Sequence, residues 1–209
     1  MIWICKTFEC IELWVIVQPE RTLIQQEDRV SQTIRAPLTH AGIRVRNLPA
    51  MRAFYEQALG LIVTDAGRRP VSGQEFVFMT AEADKHHQFV LVSGRVDSSQ
   101  VSTVFQLSFR LTSLAQLRLA QAQAREAGAT RFVPISHGNA WSVYYDDPEG
   151  NTVEIYVDSP WYVPQPFGDP LDLSQSDDEI LRQTETRCRQ VQGFMPAEHW
   201  QAQVSARLI

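Results

Sequence analysis

Cysteine is scarce in this sequence, and its spacing matches neither a disulfide scaffold nor a zinc site. The three cysteines, Cys5, Cys10 and Cys188, are odd in number and include no C-x-x-C pair. Disulfide scaffolds use even sets of cysteines, and zinc sites use closely spaced pairs. We therefore expect reduced thiols and a cytoplasmic protein.

Positive charge is also in short supply. The formal net charge is −5, and lysines and arginines form no run along the chain. A basic patch or stripe is the electrostatic footprint of a nucleic-acid-binding protein. We therefore expect no nucleic-acid partner.

No apolar run is long enough to cross a membrane. The most apolar stretch, residues 1–17, is interrupted by Lys6, Glu9 and Glu12, and it is shorter than the roughly 20 residues that a spanning helix needs. No small-residue cleavage site of a signal peptide follows it. We expect no membrane partner, and we interpret residues 1–36 as an N-terminal extension.

The sequence does contain a repeated order of short elements. Residues 38–95 and residues 101–158 each have the pattern of a strand, a helix and three further strands. Leu48 and Leu114, which begin the two predicted helices, differ by 66 positions (114 − 48). Such a period predicts an internal duplication of a β-α-β-β-β module.

The duplication relates polar residues of the two modules. The same offset takes His40 to Gln106 and Arg44 to Arg110, and these residues lie on the polar face of the first strand of each module. A predicted hairpin over residues 137–158 carries Glu154 on the strand face opposite the aliphatic side chains, because strand residues alternate between two faces.

After Ser159 the sequence becomes proline-rich and then helical. We interpret residues 161–209 as a strap followed by C-terminal helices. Ser176 and Glu179 have the spacing of a capping box for a helix near residues 177–190, and Pro196 begins a second candidate helix. Such helices are expected to lie against the modules or against a second subunit.

A tandem pair of such modules that contains RNLPAMRAFYEQALGL and YYDDPEGNTVEIY resembles the vicinal oxygen chelate superfamily. This superfamily includes glyoxalase I, bleomycin-resistance proteins and extradiol ring-cleaving dioxygenases. The resemblance covers residues 37–160 and implies an α+β fold in which two modules form a cupped half-barrel. It also implies a homodimer and a small-molecule substrate with an aromatic or vicinal-oxygen group.

The resemblance further implies a metal at the centre of the cup, held by the first strand of each module and the last strand of the second. The corresponding positions are His40, Gln106 and Glu154. An imidazole, an amide and a carboxylate would leave coordination positions open for substrate. Fe(II) is the expected metal, with Mn(II), Ni(II) and Zn(II) as alternatives.

Three more residues resemble the catalytic residues of catechol 2,3-dioxygenase-like proteins. A His86-His87 pair opens the predicted last strand of the first module, and the resemblance implies that His87 acts as an acid/base. His137, followed by glycine, and Tyr144 are implied to orient the substrate and oxygen. Proton transfer and hydrogen bonding of this kind are what diol cleavage requires.

The sequence departs from both nearest patterns. Extradiol dioxygenases have a second histidine at the position of Gln106. Glyoxalase I enzymes with a glutamine ligand have a carboxylate on the last strand of the first module, where this sequence reads HHQFVLV. If Gln106 only lines the pocket, His87 or His137 could complete the ligand set.

Three functions therefore remain open. The favoured hypothesis is a metal-dependent enzyme of the extradiol dioxygenase type. The second is a non-redox glyoxalase, isomerase, epimerase or lyase that uses its metal as a Lewis acid. The third is a metal-free, bleomycin-resistance-like binding protein, with an apolar pocket lined by Phe78, Phe105, Trp141 and Tyr144.

Overall fold

The protein is described by a computed structural model that covers residues 35–96 and 104–208. Almost all of the predicted N-terminal extension, residues 1–34, lies outside this part of the chain. Within it, residues 38–96 and 104–208 belong to one unit. No helix of the described residues is both long enough and apolar enough to cross a membrane.

The first module has the predicted order of elements. They are β1 (Ala41–Val45), α1 (Leu48–Leu59), β2 (Ile62–Arg68), β3 (Glu75–Thr80) and β4 (Phe89–Ser93). The sheet order is β1-β4-β3-β2, with β1 parallel to β4. Helix α1 begins where the Asn47 side chain accepts a 3.1 Å bond from the Ala50 backbone. It ends at Leu59 and is followed by Gly60, whose φ of 65° suits glycine.

The second module repeats this order. Its elements are β5 (Leu107–Leu111), α2 (Leu114–Glu126), β6 (Thr130–Ser136), β7 (Ala140–Asp146) and β8 (Thr152–Asp158). The order β6-β7-β8-β5 matches that of the first sheet, and β5 is parallel to β8. Strands β1 and β5 are 66 positions apart (107 − 41), as the period predicted. The two sheets are separate and do not close into a barrel, so the α+β prediction is confirmed.

Aromatic rings join the two modules on the helical side. The Tyr55 ring of α1 lies 4.7 Å from the Phe89 ring and 6.2 Å from the Phe109 ring, measured between centroids. Phe89 belongs to β4 and Phe109 to β5, and their rings are 5.9 Å apart. Burying these large rings contributes strongly to stability, so both modules share one core.

The C-terminal residues add further elements to the second module. They are β9 (Trp161–Tyr162), β10 (Asp169–Pro170), α3 (Asp177–Cys188), β11 (Met195–Pro196) and α4 (Ala197–Leu208). Strand β10 pairs with the edge of β6. The predicted cap of α3 is present, because the Ser176 hydroxyl accepts a 3.3 Å bond from the Glu179 backbone. Helix α4 has no buried residue.

Two details differ from the sequence predictions. Strand β4 begins at Phe89, so that His86 and His87 lie in the preceding loop. Trp141 is only 3% exposed, and its indole nitrogen donates a 2.9 Å bond to the Thr184 hydroxyl of α3. Trp141 therefore belongs to the core and not to a ligand pocket, because its strand position shares the face of Val143.

Candidate functional site

Glu154 lies at the centre of the second sheet. Its neighbours across the strands are Ser108 of β5 and Tyr144 of β7. Alternation along β8 turns Glu154 away from the core face of Val153 and Ile155, yet the residue is only 7% exposed. The structure thus places a carboxylate in a largely water-excluded position.

The Glu154 carboxylate is held by neutral donors. Its Oε2 atom accepts a 2.8 Å bond from Gln106 Nε2 and a 2.6 Å bond from the Ser108 hydroxyl. None of the ion pairs found in residues 35–96 and 104–208 includes Glu154. A buried carboxylate without a cation carries a desolvation penalty, so this position suits a metal cation.

Gln106 also has a defined orientation. Its amide nitrogen donates to Glu154 and, at 2.9 Å, to the Ser108 hydroxyl. The amide oxygen of Gln106 is therefore the atom that remains for coordination, and an amide oxygen is a hard, neutral ligand. The chemistry of this donor pair, one carboxylate and one amide oxygen, fits a divalent metal ion.

His137 and Tyr144 form a hydrogen-bonded pair beside the carboxylate. His137 Nδ1 is 2.8 Å from the Phe167 carbonyl oxygen, which can only accept, so Nδ1 carries the proton. His137 Nε2 then accepts the 3.0 Å bond from the Tyr144 hydroxyl. Burial and the neighbouring Glu154 carboxylate raise the pKa of Tyr144 above its ordinary value, so the phenol keeps its proton.

An open cavity of about 280 Å³ lies against this pair. Its lining includes His137, Asn139, Tyr144, Glu154, Tyr156 and Gln165. Gln165 closes one side, because its amide donates a 2.8 Å bond to the His137 carbonyl oxygen. The volume is near the lower end for small-molecule sites, roughly 300 Å³, and suits a ligand of one or two rings.

The histidines of the first module form a second group. The His40 and His87 rings are 4.6 Å apart between centroids. His86 Nε2 lies 3.1 Å from Asp65 Oδ2, and the Nδ1 atoms of His86 and His87 are 2.8 Å apart. If Asp65 accepts from His86, a neutral His86 must accept from His87 Nδ1–H. Nε2 of His87 is then an unprotonated acceptor.

The surroundings of His87 favour its neutral form. Burial, together with His40 and His86, lowers the pKa of His87 below its ordinary value. A neutral imidazole with an unprotonated nitrogen can accept a proton from a bound ligand.

The structure therefore brings the predicted site residues together in pairs. His40 contacts His87, Gln106 contacts Glu154, and His137 contacts Tyr144. Across the part of the chain that the structure describes, no three His, Cys, Asp or Glu side chains are grouped so as to hold a metal ion. The proposed ligand trio contains two such residues and one amide.

Sequence reasoning missed three residues that contribute to the site. Ser108 lies two residues after Gln106 on the same strand face, so the alternation of β5 contained the signal for it. The strap residues Gln165 and Phe167 bind His137 from about 30 positions away, and no local pattern marks that contact. The predicted aromatic pocket is wrong for Trp141, which is in the core, and for Phe105, which is 84% exposed.

Comparison with known proteins gives one family match and several relatives. Residues 38–155 match the family described as "Glyoxalase/Bleomycin resistance protein/Dioxygenase superfamily". Biphenyl-2,3-diol 1,2-dioxygenase 3 of Rhodococcus globerulus is 30% identical over 132 residues, which are 61% of this chain and 66% of that protein. Biphenyl-2,3-diol 1,2-dioxygenase 2 of the same organism is 24% identical over 131 residues, which are 61% and 65% of the two chains. The chain thus spans just under two thirds of the length of both relatives.

A solved structure shows the same fold. It is a glyoxylase/bleomycin resistance protein/dioxygenase domain from Frankia sp. EAN1pec, with a TM-score of 0.52 and 18% sequence identity. The match covers 60% of this chain and 100% of the Frankia domain. At this identity the similarity concerns the arrangement of the two modules.

Proposed function

The chain belongs to the Glyoxalase/Bleomycin resistance protein/Dioxygenase superfamily, and on that basis we propose that it is a metal-dependent dioxygenase that cleaves a catechol-like aromatic diol. The similarity to two biphenyl-2,3-diol 1,2-dioxygenases supports this substrate class. The observation that carries the proposal is the Tyr144–His137 hydrogen bond in a cavity that Glu154 also lines.

His40, Gln106 and Glu154 are the residues that would hold the metal. Fe(II) is the proposed ion, and it would supply coordination positions for the diol and oxygen together with the redox chemistry of ring cleavage. Ser108 keeps the Glu154 carboxylate in place through its 2.6 Å hydrogen bond. Such a bond orients the carboxylate toward the cavity and restricts its rotation.

Tyr144 and His137 would orient the substrate by hydrogen bonding. The Tyr144 hydroxyl donates to His137 Nε2, so the phenol oxygen retains lone pairs that accept a bond from a substrate hydroxyl. The Phe167 carbonyl holds the His137 ring in one tautomer. This pair can therefore orient a diol at the edge of the cavity without a change in its own protonation.

His87 is the proposed acid/base. A diol must lose a proton to bind as an anion, and the Nε2 atom of neutral His87 is an acceptor. The Asp65–His86 contact at 3.1 Å supports this role, because a neutral His86 that donates to Asp65 leaves Nε2 of His87 unprotonated. His87 can later return the proton to the product.

Oxygen uptake after metal loading tests the proposal. Protein reconstituted anaerobically with Fe(II) is mixed with air-saturated buffer and 2,3-dihydroxybiphenyl or catechol, and oxygen consumption is measured together with the absorbance of the ring-opened product. We expect uptake in the wild type and its loss, with loss of bound iron, in Glu154→Ala. Glu56→Ala is the matched control, because Glu56 is a partly exposed helix residue that pairs with Arg52.

Other outcomes separate the alternatives. Stoichiometric iron with no oxygen uptake would contradict the dioxygenase. Turnover of a substrate without oxygen, supported by Ni(II) or Zn(II), would favour the isomerase or lyase class. Ligand binding that is unaffected by chelator and by His40→Ala would favour the metal-free binding protein.

A further inference from the structure

A second cavity, of about 260 Å³, lies on the sheet of the first module. Its lining includes Gly42, Arg44, Arg69, Gln74, Phe76 and Val92. None of these residues lines the cavity beside Tyr144 and Glu154. The two cavities are therefore separate candidates for ligand binding.

The floor of this cavity is a single row across three strands. Arg44 of β1 is paired with Val92 of β4, which is paired with Phe76 of β3. The Arg69 guanidinium lies 5.2 Å from the centre of the Phe76 ring. With strands about 4.8 Å apart, the row presents a flat apolar surface that has an arginine at each end.

Within the described residues, Arg44 and Arg69 have no acidic partner. Neither Arg44 nor Arg69 takes part in any ion pair that the structure shows for residues 35–96 and 104–208. Two positive charges that face one cavity raise the local electrostatic potential and attract an anion.

The internal duplication shows how the two modules differ at this arginine. Arg110, the counterpart of Arg44, forms an ion pair with Asp158 at the end of β8. Strands β4 and β8 are offset by 64 positions (153 − 89), so Gly94 corresponds to Asp158. A Cβ atom at position 94 would lie 3.9 Å from Arg44 Nη1. The second module therefore supplies a carboxylate to its arginine, and the first module has a glycine in that place.

We propose that this cavity is a second ligand site, which binds the carboxylate of an aromatic acid. The Arg44 and Arg69 guanidinium groups would bind the carboxylate by charge-assisted hydrogen bonds. The aromatic ring would lie on Val92 and Phe76. The site uses none of the proposed metal ligands, so its occupation does not require a metal.

Titration of the purified full-length chain tests this site. Benzoate is the probe and benzamide is its neutral analogue of the same shape, and binding is followed by two-dimensional NMR, with the Gly42 amide and the Val92 methyl groups as local reporters. We expect saturable benzoate binding with ring-current shifts at these reporters, and benzamide binding weaker by about tenfold or more.

Two arginine variants test whether benzoate binding depends on this cavity. Arg44→Gln is expected to weaken benzoate binding by about tenfold, whereas Arg110→Gln, which removes the counterpart that already has an acidic partner, should change it by less than about twofold. Arg69→Gln serves as a second test if Arg44→Gln does not fold. Equal affinity for benzoate and benzamide, equal losses in Arg44→Gln and Arg110→Gln, or shifts confined to the Tyr144 cavity would each overturn the proposal.

Discussion

The Tyr55 hydroxyl in α1 donates a 2.9 Å hydrogen bond to Oδ2 of Asp147, in the turn before β8. Both residues are buried, with exposures of 0% and 2%. The other carboxylate oxygen of Asp147 accepts from the backbone nitrogens of Glu149 and Asn151. The helix stretch and the turn stretch that carry the family resemblance are thus parts of one hydrogen-bonded contact between the modules.

Removing the Tyr55 hydroxyl should weaken this contact and destabilise the protein. In Tyr55→Phe the Asp147 carboxylate loses a buried donor, and a hydrogen bond to a charged group contributes about 2 kcal/mol. We expect the free energy of unfolding in urea to fall by about this amount. Tyr162→Phe is the control, since Tyr162 is partly exposed and stacks on Trp200 through its ring. A loss below about 0.5 kcal/mol in Tyr55→Phe would contradict this account of the contact.

Tyr145→Phe, in contrast, should not destabilise the protein. The Tyr145 hydroxyl is buried and has no hydrogen-bond partner in the part of the chain that the structure describes. An unsatisfied buried hydroxyl costs about 1–3 kcal/mol, so its removal should leave the free energy of unfolding unchanged or raise it. The same urea experiment measures it. A clear destabilisation would show that this hydroxyl has a partner in solution.

Glu149→Gln should destabilise the junction between the modules. The Glu149 carboxylate accepts bonds of 2.7 and 2.8 Å from the backbone nitrogens of Arg46 and Asn47, where α1 begins. A glutamine would place an NH₂ group against one of these donors, at a cost of about 2–3 kcal/mol. Glu56→Gln, at a partly exposed position of α1 that pairs with Arg52, should cost less than about 0.5 kcal/mol. Equal melting temperatures for the two variants would contradict the role of Glu149.

Stability should decline in alkaline solution because of buried tyrosines. Burial, together with the Asp147 carboxylate, raises the pKa of Tyr55 and of Tyr145 above the ordinary value. Below about pH 10 these residues are protonated in both the folded and the unfolded chain. Above it the unfolded chain releases the protons first, so the free energy of unfolding falls as pH rises. Urea titrations between about pH 8 and pH 11 should show a shallower decline in Tyr55→Phe, and an identical slope would refute this explanation.

Gln106→His tests the metal proposal at its weakest ligand. Imidazole is a stronger donor to Fe(II) than an amide oxygen. The variant should therefore bind Fe(II) with an affinity that is higher by roughly tenfold. Competition with a coloured chelator measures the affinity. Gln116→His is the control, because Gln116 is an exposed residue of α2 whose side-chain oxygen accepts bonds from the nearby Thr112. The same affinity in the wild type and in Gln106→His would show that residue 106 is not a ligand.

Local patterns were sufficient for the elements and for their order. The caps at Asn47 and Ser113 act on backbone nitrogens three residues away, and the alternation of β8 is a property of each residue and its immediate neighbours. The 66-residue period needed only the comparison of two such patterns. Trp141 shares the parity of Val143 and Tyr145, so alternation already assigned it to the core face, and its place in a predicted pocket conflicted with that rule.

Other features needed the folded chain. The sequence around His86 and His87 is compatible with a strand. Only the tertiary structure puts them in a loop, because the pairing between β1 and β4 begins at Phe89 of β4. The Phe167 carbonyl selects the tautomer of His137 from 30 positions away. The sequence also contained Arg44 and Arg110 as equivalents, but it did not show which of them has an acidic partner.

The sequence by itself determined the two β-α-β-β-β modules, because their elements are selected by short-range forces: capping, side-chain alternation and turn residues. It also determined which strand face each polar residue occupies. Only the tertiary structure decided which of those residues meet. Gln106 with Glu154, His137 with Phe167, and Tyr55 with Asp147 are contacts between segments that are distant along the chain, and they form because the packing of helices and sheets brings their backbones within hydrogen-bonding distance.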